Sequence, residues 1–178
     1  TVQQEHFASE LATRKLQALV TSAPVPHHQQ KVLLACPPGE FHNISLLMLN
    51  LMLRYRGWDV LYLGSNVPTI RLTETITETH PDLAVFSVSR LPSVSSLVDT
   101  IHILKEYQIP SAYSGWIFSQ NQKLQEIIPA HYLGQDLHES ILLIEDLLEI
   151  PRFSLIESPQ PLEDTRTEYE DKVNLLEY

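Results

Sequence analysis

Cysteine occurs once among the 178 residues, as Cys36. A lone cysteine excludes an internal disulfide and any cluster of thiolate metal ligands, and it fits a reducing compartment. Basic residues are also scarce: 12 Lys and Arg stand against 22 Asp and Glu, for a formal net charge of -10. Such a chain has no electrostatic footprint for nucleic acid, and direct DNA binding by this piece is not expected. No apolar run approaches the length needed to span a bilayer, and the start lacks the basic-then-apolar pattern of a signal peptide. A cytoplasmic protein without membrane contact is therefore expected. The sequence opens at Thr1 without an initiator Met, so the reading allows for residues upstream. Internal repeats and low-complexity tracts are missing as well.

What is present is enough for one core with extensions at either end. Phe7, Leu11, Leu16 and Leu19 fall at helical intervals and predict a helix from Gln3 to about Val20, followed by a linker through Pro24 and Pro26. From Lys31 onward, short apolar runs alternate with longer helix-like segments, the pattern of β/α units. Strands are predicted at 31–35, 59–63, 83–87, 111–113 and 131–133. Helices are predicted at about 43–55, 69–79, 93–107, 120–127 and 137–148. Gly57, Pro81 and Pro110 punctuate the returns to strand. Right-handed crossovers between strands this apolar require cover on both faces, which gives an α/β, flavodoxin-like, doubly wound parallel sheet of order 2-1-3-4-5. The division is 1–26 for the N-terminal helix and linker, 27–150 for the α/β domain and 151–178 for a tail. That tail carries seven acidic against three basic side chains and has a possible short helix over 163–176.

In a doubly wound sheet, ligands bind beyond the carboxyl ends of the strands, beside the first one. There the chain reads Cys36-Pro37-Pro38-Gly39-Glu40-Phe41-His42-Asn43-Ile44-Ser45. Glu40, two residues before His42, can hydrogen-bond one ring nitrogen and so decide which nitrogen faces outward, the usual support for a metal-bound histidine. One His with one carboxylate does not make a protein-only zinc site, which wants four ligands. An axial bond to a metal already held in a macrocycle needs one.

Glu40-x-His42-x-x-Ser45 resembles the Asp/Glu-x-His-x-x-Gly loop of cobalamin-binding domains. In that family the histidine replaces the nucleotide base as the lower ligand of cobalt. The family continues with Ser-x-Leu and Gly-Gly landmarks, and here Ser87-Val88-Ser89 and Ser114-Gly115 stand at matching separations, 42 residues from Ser45 to Ser87 and 27 from Ser87 to Ser114. The resemblance is strongest to the modules of light-responsive transcriptional regulators, on Pro37-Pro38-Gly39-Glu40-Phe41-His42, Tyr62-Leu63-Gly64 and the upstream pair Glu5-His6. It implies a cobalamin-binding sensory or regulatory module of the methionine synthase and mutase-like superfamily, without turnover, responsive to light or ligand. His42 would be the metal ligand, and Gly39, Glu40, Phe41, Asn43, Ser45, Ser87, Ser89, Ser114, Gly115 and Trp116 would surround the cofactor. The adenosyl, methyl or hydroxo form of cobalamin stays open. So does the partner, a second protein or a second copy.

Three landmarks depart from the family: its Gly is Ser45, the Leu of Ser-x-Leu is Ser89, and the first Gly of the pair is Ser114. Glycines at such places let backbone approach a bulky ligand, so each serine narrows the channel for the nucleotide tail and adds a hydroxyl. A smaller linear or cyclic tetrapyrrole is one alternative, including a bilin attached through Cys36. Another is a carrier subunit that delivers cobalamin to a methyltransferase or mutase. A receiver domain fits poorly, because the third strand ends in Ser87 where a receiver has a phosphorylatable Asp. Cys36 reads primarily as a buried structural thiol, and Trp116 equally as a stacking platform or as filling of the sheet edge. His27 and His28 read as solvated linker residues.

Overall fold

Each apolar run becomes one strand of a five-stranded, all-parallel sheet in a computed structural model that describes residues 2–149. In chain order the elements are α1 (Val2–Thr21), β1 (Lys31–Ala35), α2 (Ile44–Tyr55), β2 (Asp59–Gly64), α3 (Thr69–Thr79), β3 (Leu83–Ser87), α4 (Pro92–Glu106), β4 (Ser111–Ser114), α5 (Trp116–Gln120), α6 (Lys123–Ile127), β5 (His131–Tyr132) and α7 (Leu137–Glu149). The strand order is β2-β1-β3-β4-β5, as expected from the sequence. The tail and its possible helix lie outside the described residues, as do the side chains of Glu5 and His6.

Successive side chains of a strand point to opposite faces, and β1 shows what this does to a run such as KVLLA. Leu33 and Ala35 join one core with Leu72 and Ile76 of α3 and Val94, Leu97 and Ile101 of α4. Val32 and Leu34, with Cys36 just beyond the strand, join a second core with Leu46, Leu49 and Leu53 of α2 and Ile141 and Ile144 of α7. Both faces of the central strand are therefore covered, which is why its residues read as continuously apolar. α1 lies outside these two layers and rests on α2.

The predicted helix over 120–127 proves to be two short ones. α5 starts immediately after Gly115, and Asn121, at φ -137°, ends it before α6 begins. β1 is flanked by β2 on one side and β3 on the other, so the chain leaves β1 and β3 in different directions. A crevice opens between those two exits.

Candidate functional site

Two hydrogen-bonded turns shape the loop after β1. Gly39 adopts φ +83°, and its N–H donates to Oδ1 of Asn66 at 2.9 Å. The Asn66 N–H donates in turn to the Glu40 carbonyl at 2.7 Å, so the loop after β2 braces the loop after β1. Asn66 itself is left-handed (φ +49°), a conformation that asparagine tolerates better than most residues.

The brace delivers Glu40 into the protein, where its side chain is 0% exposed. A buried carboxylate is costly unless its oxygens are satisfied, and here both are. Oε1 accepts the backbone N–H of His42 at 2.9 Å and the ring Nδ1–H at 2.7 Å. Oε2 accepts the backbone N–H groups of Ser89 at 2.7 Å and Arg90 at 3.1 Å, beyond β3. Burial pushes the Glu40 carboxyl up, but the His42 and Ser89 N–H groups, the His42 ring and the Arg90 N–H outweigh it and hold it below the usual range. Glu40 thus stays ionised, ties the exits of β1 and β3 together and takes the proton of Nδ1. The lone pair of His42 is left on Nε2.

The His42 side chain is 62% exposed, and among the described residues Nε2 has no hydrogen-bond partner. His42 lines a cleft of about 830 Å³ together with Phe41, Asn43, Ile44 and Ser45. The opposite wall is α1, through Ser9, Glu10, Thr13, Arg14 and Gln17. A second cavity of about 330 Å³ shares Ser45 with the first and runs between α2 and the exits of β3, β4 and β5. Ser89, Ser114, Gly115 and Trp116 line it, joined by Met48, Gly134, Gln135 and Ser140. The serine substitutions leave this channel open.

Gly39, Glu40 and Ser87 line neither cavity and stand behind them. Ser87 is 1% exposed, with its Oγ 3.4 Å from that of Ser45. Gly115 has a different task from the one its place in the motif suggests. A Cβ there would sit 1.7 Å from the Val88 carbonyl oxygen, so the missing side chain lets two strand exits touch rather than making room for a ligand. Cys36 is fully buried, with its Sγ 3.7 Å from the His42 carbonyl oxygen. Burial first, and the Glu40 charge second, push its thiol up to about 12. A protonated, enclosed thiol is no attachment point, which removes the basis for a bilin linked through Cys36.

The B12 binding domain family model matches residues 30–136. The chain belongs to the B12 binding domain family. The HTH-type transcriptional repressor CarH of Myxococcus xanthus is 33% identical over 117 residues, covering 66% of this chain and 38% of that protein. CarA, an HTH-type transcriptional repressor of the same organism, is 33% identical over 89 residues, covering 50% and 31%. The chain therefore spans about a third of the length of these curated relatives. The fold is shared with a cobalamin-binding protein from Desulfitobacterium hafniense (TM-score 0.61, 19% identity, 67% of this chain and 59% of that chain). It is shared too with the methanol:cobalamin methyltransferase complex MtaBC from Methanosarcina barkeri (TM-score 0.62, 18% identity, 76% and 55%).

The cofactor that gives the B12 binding domain its name suits the residues present. Among the described residues no three His, Cys, Asp or Glu side chains gather to hold a metal, whereas one outward-facing imidazole is what a metal in a macrocycle requires. The larger cleft lies within the range of cofactor pockets, about 300–1,000 Å³. Sequence reasoning missed the α1 wall, although Ser9, Thr13 and Gln17 form a polar stripe at four-residue spacing that would have shown it. It also missed Asn66, for which the sequence carries no local signal. His28, read as solvated, instead stacks on Trp58 with ring centroids 3.8 Å apart.

Proposed function

We propose that this B12 binding domain is a sensory or regulatory module in which Nε2 of His42 is the lower axial ligand of cobalt. One observation carries the reading: a fully buried carboxylate holds the proton of Nδ1, while the opposite nitrogen faces a cofactor-sized cleft that continues into a channel. Glu40 orients the ring and raises its basicity. Ser45, Ser89, Ser114 and Trp116 line the path for the nucleotide tail, and Ser87 supports it from behind.

Bound cobalamin would supply an upper cobalt bond that light or ligand exchange can alter, and α1 stands where such a change would be felt. Likeness to two transcriptional repressors favours signalling over catalysis, with a protein partner or a second copy as the receiver of the signal. A cobalamin carrier for a methyltransferase shares the fold, but no residue found here favours it.

Titration with hydroxocobalamin, followed by its visible absorbance, tests the assignment. The wild-type spectrum should shift as imidazole enters the axial position, and His42→Ala should lose that shift. Identical spectra for the two proteins would remove His42 as the ligand.

A further inference from the structure

Among its described residues α1 has no fully buried side chain, and Phe7 and Leu11 are 70% and 44% exposed. A helix that buries so little apolar surface is weakly held by packing alone. Yet it forms one wall of the cleft opposite His42. Something else has to fix its place.

The segment that follows α1 supplies it. The backbone N–H groups of His27 and His28 both donate to the Gly57 carbonyl, at 2.9 and 3.1 Å. The His28 ring stacks on Trp58 at an interplanar angle of 11°. Trp58 is 5% exposed, and its Nε1–H donates to Glu145 of α7 at 3.0 Å. Arg56 grips the same carboxylate with two hydrogen bonds, at 2.7 and 2.6 Å. The chain is thus fastened to α7 and to the turn before β2 within a few residues of the end of α1. Pro24 and Pro26 stiffen the interval.

Resting on the reading of the cleft as a cobalamin site, we propose that His28, Trp58, Glu145 and Arg56 are positioning residues that hold α1 across the cofactor. None of them touches the cleft. They act by removing the freedom of α1 before the ligand arrives, so that less ordering is lost on binding.

The test compares the 178-residue chain with His28→Ala, which removes the stack, and His28→Phe, which keeps it. Two readouts are taken: amide hydrogen exchange in the ligand-free protein and affinity for hydroxocobalamin by absorbance. His28→Ala should exchange faster in α1 than wild type while β1 to β4 stay protected, and its affinity should fall about tenfold. His28→Phe should restore both. Unchanged α1 exchange in His28→Ala, equal acceleration throughout the chain, or no rescue by Phe would each overturn the positioning role. If wild type binds no corrinoid, the functional reading fails, while the exchange data still decide whether the stack holds α1.

Discussion

Glu40 does three things with one side chain: it closes the β1 loop on itself, ties that loop to the backbone beyond β3 and chooses the free nitrogen of His42. Glu40→Gln separates these tasks. The amide keeps one acceptor oxygen but presents N–H donors to groups that also donate, leaving at least one buried donor unpaired at a cost of about 1–3 kcal/mol. It also loses the charge that fixes the ring. Thermal unfolding should occur at lower temperature, and hydroxocobalamin affinity should fall about 10–100-fold, the usual effect of losing such a partner behind a ligand. Wild-type affinity in the variant would show that the carboxylate only closes the loop.

At the scale of elements, the exits of β3 and β4 meet because Gly115 has no side chain. Its φ of +145° is also a conformation that other residues rarely adopt. Gly115→Ala should therefore destabilise by about 2 kcal/mol or more, measured by urea unfolding, because the Val88 carbonyl is backbone and has to move. The same contact explains what could be read in advance and what could not. The five strands were legible because each apolar run ends at a glycine, a proline or a polar turn, and the β1 loop was legible because its motif is contiguous. The role of Gly115 was not, since its neighbour Val88 lies 27 positions away in the chain. Nor was the stacking of His28 on Trp58, which joins residues on two different elements across the edge of the sheet. α5 was hidden for a local reason: a five-residue helix is too short to show a period.

For the whole molecule, net charge and specific pairing pull in opposite directions as the pH falls. Protonating a chain of formal charge -10 relieves general repulsion. Glu145 works against this. Its hydrogen bonds from Arg56, against a smaller cost of burial, and its bond from Trp58 hold its carboxyl below the usual 4.5. Because the folded value is the lower one, this stabilisation is fully present above 4.5 and is lost as the pH drops through the folded value. Urea midpoints measured from neutral pH to below 4.5 should fall more steeply for wild type than for Glu145→Gln, which should be the less stable protein at neutral pH. Parallel curves would mean that the pair contributes nothing specific.

The enclosure of Cys36 has a practical side. The chain's single natural thiol is shielded and protonated, so dyes or spin probes introduced through new surface cysteines would meet no competing background. A pair of labels, one on the outward face of α1 and one on α4, would then report the distance between them directly, with and without corrinoid, in an otherwise unmodified protein.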